Sequence, residues 1–499
     1  MRKKNSTVLA AAIVVTFYIA VISYWHQRFA FPHMEECNIM LYDLDWVRSV
    51  LSECGGGALL LASLFTQFMQ SLWVGPLVAG IFSGVACLAL CEAMQALGAK
   101  RWTYTISFLP MVLLYACVEN NSYNFQGHAA VLLSLLALWL YAAQRKRLAW
   151  AWRYAFGVFL LALTYWLAGS AAAIFAFGAM LLELVLGGSS RWMGILYPAV
   201  FCIFAAAAYH FGMVPTMVRA FSPGMYYEWD TTWFMLLYSW IAIALALLLA
   251  VISRNMTLSK KTAAEVGSVI CLASMIVGNR MYDAVHSYSL YRTMQQRYYA
   301  KQGDWDAILD MRYHKEKTPF TSYRFLALAH KGRLADELAS CNPYISYFME
   351  NKTLVKREDL ELLSDIFYDC RFMGAARRYA FDADMVTPGA FNPYETLRLA
   401  KINIAYGDYA VAEKLITQLE KTLYYAAPAS ALRRFLGEDA AVAADPELGA
   451  MRRAIPPESD YMTPKTTGRD LLFAAQANPN EQVARQFYRA FQMLTQGHE

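Results

Sequence analysis

ALLLASLFTQFMQSL, Ala58–Leu72, is the stretch on which the fold turns. It is apolar but short, and it lies between two longer apolar runs, Thr7–Tyr24 and Pro76–Leu97. A helical bilayer crossing takes about 17–25 apolar residues. If Ala58–Leu72 crosses, every later loop exchanges sides. Arginine and lysine decide between the alternatives, because cytoplasmic loops are enriched in them. With the segment lying flat on the outer leaflet, or dipping in and returning, Arg2, Lys3, Lys4, Lys100, Arg101, Arg145, Lys146, Arg147, Arg191, Arg254, Lys260 and Lys261 fall inside. The outer loops then keep Arg28, Arg48 and Arg219. Were it to cross, most of these basic residues would land outside. A surface or re-entrant helix over 58–72 is therefore expected.

Working outward, nine apolar runs remain as crossings: Thr7–Tyr24, Pro76–Leu97, Tyr104–Val118, Ala129–Ala143, Tyr154–Leu167, Ser170–Leu186, Met193–Phe211, Thr232–Ile252 and Ala264–Val277. The first follows Met1-Arg2-Lys3-Lys4 but has no small-residue cleavage site, so it reads as a retained anchor and not a signal peptide. Beyond about Arg280 the composition turns to that of an ordinary soluble protein, with charges every few residues. The expected plan is an all-α chain: a membrane domain over 1–280, then a soluble helical domain over 281–499. The net charge of +5 across 499 residues comes from loop lysines and arginines, with no basic stripe or motif for nucleic acid. No Walker or nucleotide-binding glycine pattern occurs in the inner loops. The nine cysteines form no CxxC pair; Cys37 with Cys54, and Cys341 with Cys370, share a compartment in this topology and are either disulfides or free thiols.

The soluble half repeats one scheme. Gln302–Leu309 and Tyr406–Glu413 each run Gly-Asp, an aromatic, then alanine at helical spacing, and Met373–Ala380 is a looser copy. A turn glycine before a helix with a small-residue face marks tetratricopeptide-like hairpins, which stack into a solenoid and bind protein segments.

The chemistry-bearing residues collect on the outer face. Loop one, 25–57, contains FPHMEECNIMLYDLDWVR, Phe31–Arg48, with Glu35, Glu36, Asp43 and Asp45 beside His33 and Arg48. Charge beside a bilayer is costly to hold against lipid and marks a candidate site. A carboxylate there would act as general base on an acceptor hydroxyl, or hold Mg²⁺ or Mn²⁺ against a donor phosphate. Asp43 and Asp45 could share such an ion in a loop, but on a helix they would diverge by about 200°. The second loop, Glu119–His128, supplies Asn120, Asn121, Tyr123 and His128; the third, Thr164–Ser170, supplies Trp166; the fourth, His210–Asp230, supplies Arg219, Tyr227 and Glu228. Amides and aromatics suit sugar hydroxyls and ring faces. Arginine suits phosphate. The plainer reading is an interfacial aromatic belt with ordinary polar turns.

Several short motifs add a resemblance. Gly55-Gly56-Gly57, Phe65-Thr66-Gln67-Phe68, Gly75-Pro76-Leu77, Asn120-Asn121-Ser122-Tyr123, Ala168-Gly169-Ser170, Ala327–Leu334, Leu399–Ile404 and Ala477–Asn480 together resemble a Bacteroidota inner-membrane family known as a domain of unknown function, nearly end to end. The chain departs from that family at Gly55–Ala58, where proline more often precedes the glycine pair. The plan in turn looks like the C-fold (GT-C) glycosyltransferases, with an acidic first outer loop and surface helices after the first span. That resemblance implies a polyprenyl-phosphate-linked sugar donor and a periplasmic protein or glycan acceptor. Glu35 or Glu36, or the Asp43/Asp45 pair, would match the class's catalytic acid. The family resemblance implies a bacterial inner-membrane protein in contact with membrane lipids, and the basic-residue distribution puts its N-terminus in the cytoplasm and its C-terminal domain in the periplasm. Two other functions fit the composition. One is a non-catalytic membrane-anchored scaffold. The other is a transporter, against which Glu92 and Glu183 are the chief charges inside the runs, both near inner ends.

Overall fold

The computed structural model describes residues 2–120, 122–228, 234–312, 318–319, 322–344, 356–457 and 467–496. Among these the chain is all-α, apart from an isolated bridge between Tyr123 and Tyr227 and the two-residue pairing of Thr318–Pro319 with Pro343–Tyr344. It forms two compact units, Met1–Tyr288 and Ser289–Glu499.

The first unit runs α1 (Arg2–Gln27), α2 (Ala30–Cys37), α3 (Leu44–Ser52), α4 (Gly56–Thr66), α5 (Val74–Ala96), α6 (Phe108–Cys117), α7 (Gln126–Gln144), α8 (Trp150–Ala168), α9 (Ala172–Leu186), α10 (Leu196–His210), α11 (Met217–Phe221), α12 (Phe234–Ser253) and α13 (Lys260–Val285). Seven stretches within the described residues are long and apolar enough to cross a membrane, and they make this a membrane protein. Three expected crossings look different in the structure. Tyr104–Val118 divides into a 3₁₀ turn, Arg101–Ser107, and the 10-residue α6. Thr103, Thr105 and Ser107 each turn a hydroxyl back onto the carbonyl three residues earlier, at 2.7, 2.8 and 2.6 Å, which favours the tighter winding. The runs Tyr154–Leu167 and Ser170–Leu186 fall within one apolar stretch of 37 residues, broken at Gly169 with φ +68°. Straight, that stretch would be about 55 Å long. Instead Arg153 near its start meets Glu183 near its end at 3.1 Å, so α8 and α9 are an antiparallel hairpin.

Close packing fixes the bundle. α1 lies along α5, where Gly80 and Gly84 replace side chains by space: a Cβ on Gly80 would lie 2.6 Å from the Thr16 carbonyl oxygen, and one on Gly84 1.8 Å from Thr16 Oγ1. Small residues four apart let two apolar helices approach in this way where burial alone gives no drive. α4, the pivotal stretch of the sequence, ends at Thr66 and is about 16 Å long, too short to span. Its Gly56, Ala58, Ala62 and Ser63 are buried, and it packs on α7 and α8.

The second unit opens with α14 (Tyr288–Lys301), α15 (Trp305–Asp310), α16 (Tyr323–His330) and α17 (Leu334–Glu337). It continues with α18 (Arg357–Asp369), α19 (Met373–Val386), α20 (Pro393–Tyr406) and α21 (Tyr409–Leu419), and reaches a last helix at Gln482–Gln496. Neighbouring helices pair as α15 with α16, α18 with α19 and α20 with α21. Gly407, φ +83°, caps α20, and Asp304 caps α15 through Ala307 N at 3.1 Å. At Met373–Ala380 the glycine is not the turn: Gly374 lies inside α19, and Arg371, φ +58°, turns the chain.

A buried ionic cluster ties this unit together. Arg398 donates to Asp365 at 2.5 Å and to Ser364 at 2.6 Å; Arg297 bonds Glu395 at 3.1 Å and Glu361; Tyr323 donates to Asp365 at 2.6 Å. Burial pushes the Asp365 carboxyl up, but Arg398 and Arg297 together bring it below its ordinary value. All nine cysteines, Cys37, Cys54, Cys341 and Cys370 included, are thiols.

Candidate functional site

One end of the first unit gathers the four loops singled out in the sequence. α1 is anchored there by Gln27 Nε2, which donates to the Tyr115 carbonyl at 2.9 Å. α2 follows immediately and seats Phe31 against Gly75, where a Cβ would sit 2.3 Å from Phe31 Cγ. On α2, His33, Glu35 and Glu36 are buried. His33 and Glu36 are one turn apart on the same face, with a ring nitrogen and a carboxylate oxygen within 4.8 Å of each other. Glu35 accepts from Gln70 Nε2 at 3.3 Å.

Asp43 and Asp45 lie differently. Asp43 is the N-cap of α3, its Oδ1 accepting from Asp45 N at 3.2 Å. Asp45 pairs with Arg48 at 3.3 Å with both side chains in solvent, 87% and 78% exposed. The cap and the competing guanidinium are a poor fit to a shared Mg²⁺ or Mn²⁺. On α2, His33 and Glu36 offer an imidazole nitrogen and a carboxylate oxygen within 4.8 Å of each other, which fits one better.

The other loops close over this end. Gly55 N donates to the Trp166 carbonyl at 2.8 Å, Trp166 Nε1 to the Leu51 carbonyl at 2.8 Å, and Gln126 Nε2 to the Gly55 carbonyl at 2.9 Å. Tyr226 is hydrogen-bonded to the Ala168 carbonyl and accepts from Ala171 N at 2.9 Å. Asn124 N donates to the Tyr226 carbonyl at 2.9 Å, and Glu228 N to the Ser122 carbonyl at 2.8 Å. Much of the polarity read as sugar-binding therefore builds the loops themselves. Asn120 Oδ1 accepts from Ser122 N and Oγ at 3.0 and 2.9 Å. Arg219 Nη2 donates to the carbonyls of Tyr227 and Glu228 at 3.3 and 3.0 Å. Tyr123 and Tyr227 are buried against each other, ring centres 5.2 Å apart, and burial raises both phenols. His128 is buried too, Nδ1 2.7 Å from Tyr123 Oη, and stacks on Phe125. Asn121, Trp229 and Asp230 lie outside the described residues.

The sequence reading missed one pair. Glu119, buried, meets His286 Nδ1 at 2.6 Å across 167 residues, beside Tyr282 Oη at 3.0 Å. Burial raises the Glu119 carboxyl, and His286 partly offsets the rise. Tyr282 also stacks on Tyr115, whose hydroxyl lies 2.8 Å from His26 Nδ1. The available signal was weak: an acid closing an apolar run, and a histidine just past another.

The opposite end is basic. Buried Arg145 and Glu183 form a triad with the partly buried Arg153, with contacts of 3.1 Å, and Tyr141 donates to Glu183 at 2.9 Å. Gly98, φ +94°, lies at this end against the stem of Arg254. The fold and the site define a polytopic membrane protein with a buried acidic helix at one end of its bundle. The chain belongs to a family described as a family of unknown function (DUF6057), whose profile matches residues 3–497. No curated protein and no solved structure matches it.

Proposed function

We propose that this protein is a membrane glycosyltransferase of the C-fold type that takes a sugar or oligosaccharide from a polyprenyl-phosphate donor. The acceptor is a periplasmic protein or glycan. The observation that carries the reading is α2: a short helix hung between the first two crossings, holding His33, Glu35 and Glu36 out of solvent. In this reading the helices make nine crossings, counting α8 and α9 separately and α6 with its 3₁₀ turn. Lys100, Arg101, Arg145, Arg254 and Lys260 face the cytoplasm of a bacterial inner membrane. The acidic end and the second, tetratricopeptide-like unit then face the periplasm.

Glu35 or Glu36 takes the proton of the acceptor hydroxyl as the glycosidic bond to phosphate breaks. A divalent cation, when bound, would neutralise charge on the departing phosphate, and His33 and Glu36 are the residues placed to hold it. Glu119 and His286 position the end of α13 beside this region. Asp43 and Asp45 are left with a structural role in α3.

The test is transfer of labelled glycan from lipid-linked donor to exported protein in isolated membranes, comparing wild type with E35Q and E36Q at matched abundance. One of the two variants should lose about 10²–10⁴-fold in rate. Full transfer by both, or a tag at Glu499 found on the cytoplasmic side, would end the proposal.

A further inference from the structure

The basic end of the first unit carries a groove that the proposed chemistry does not use. It is an open groove of about 390 Å³ between the 3₁₀ turn Arg101–Ser107 and the first turns of α13. Arg101 and Trp102 lie on one side; Ala264, Gly267, Ser268 and Cys271 line the other, following one face of α13. Small side chains keep the hollow open. A Cβ on Gly267 would already touch Thr105 Cγ2 at 3.4 Å.

Its surroundings say what would fill it. α13 is a candidate span only 17% buried, and Ala264 and Ser268, on the groove face itself, are exposed, as are Val269, Leu272 and Ile276 farther round the helix. In a bilayer much of the circumference of α13 meets lipid, the groove mouth included. The rim is cationic: Arg101 is exposed, Lys100 precedes it, and Lys260 and Lys261 open α13. No carboxylate lines the groove. An apolar floor opening to lipid beneath a basic rim with an interfacial tryptophan matches an amphiphile with an anionic head.

We propose that this groove seats an anionic phospholipid. Its phosphate lies at Arg101, its glycerol level with the Trp102 indole, and one acyl chain runs over Ala264, Gly267 and Cys271. Free phosphate would use Arg101 alone and leave the floor empty. A neutral lipid would use the floor and ignore the rim.

The full chain in detergent, supplied with dioleoyl-phosphatidylglycerol or dioleoyl-phosphatidylcholine, would be examined by native mass spectrometry. The anionic lipid should be retained preferentially. R101Q should cut its retention roughly fivefold, as expected for one cation near a phosphate, while R101K keeps most of it. A264F blocks the floor without changing charge and should release the lipid at unchanged helix content, which holds the test open if R101Q fails to fold. Equal retention of both lipids, displacement by inorganic phosphate, or unaltered retention in both R101Q and A264F would overturn the assignment.

Discussion

The two ends of the membrane unit place buried charge on different scaffolds, one spread over three helices and the other on a single short helix. At the basic end Glu183 is wholly buried between Arg145 and Arg153, each within 3.1 Å, and Tyr141 and Tyr154 donate to it at 2.9 and 3.3 Å. The carboxylate charge is neutralised where it stands. At the acidic end His33, Glu35 and Glu36 are buried on one short helix, and Gln70 donates to Glu35 at 3.3 Å. Buried carboxylates cost folding free energy unless compensated, which makes a helix carrying two of them a candidate site. The contrast separates a structural charge cluster from a candidate chemical one.

Four measurements would break or sharpen that contrast. The largest effect belongs to E183A, which strands two buried guanidinium groups and should cost roughly 3–5 kcal/mol in thermal unfolding of the detergent-solubilised chain. E36Q, measured beside it, should stay within about 1 kcal/mol of wild type; an equal loss would make the acidic end structural as well. Next comes G84A, whose new methyl meets Thr16 Oγ1 at 1.8 Å. Overpacking of this kind costs about 1–3 kcal/mol, and T16A in the same chain should recover part of it in a double-mutant cycle. Smaller again is D43A, which removes the cap of α3 at about 1 kcal/mol. D43N keeps the cap and should leave the proposed glycan transfer intact; lost transfer in D43N would return Asp43 to the proposed chemistry.

The smallest effect calibrates the scale in the second unit. Glu420 accepts hydrogen bonds from Arg433, which with Ser430 hold its carboxyl down at about 2 against an ordinary 4.5, although the pair is largely in solvent. A lowered carboxyl stabilises the fold above the unfolded value and loses that contribution as pH falls through the folded one. The melting-temperature gap between wild type and E420Q should therefore be small at neutral pH and close between 4.5 and about 2. A gap that widens on acidification would contradict this sign.

Much of the architecture was legible because apolar length and basic punctuation are one-dimensional signals. The helical character, the short α4 and the change of composition near Arg280 all follow from counting. The break at Gly169 was legible as well, since a glycine divides a run too long for one crossing. What counting could not supply was which polar atoms were already committed. Asn120 and Arg219 look like ligands in sequence, yet one closes its own turn and the other holds two carbonyls of its own loop. Glu119 and His286, 167 residues apart, have no local pattern linking them. Glu183 looked like a stray charge because its partners come from the ends of two other helices. Sequence position reports residue type faithfully; hydrogen-bond commitment is a property of the tertiary structure.

The bond from Trp166 to the Leu51 carbonyl spans 115 residues. A ribosome making about 5–20 residues each second needs on the order of ten seconds to cover that distance. For that interval the nascent chain has already released its acidic helix, while the α8–α9 hairpin that will clamp the following loop does not yet exist. Maturation of this corner of the molecule is thus a late event in biosynthesis, and a truncated product ending before Trp166 would display the carboxylates without the groups that fasten the loop beside them.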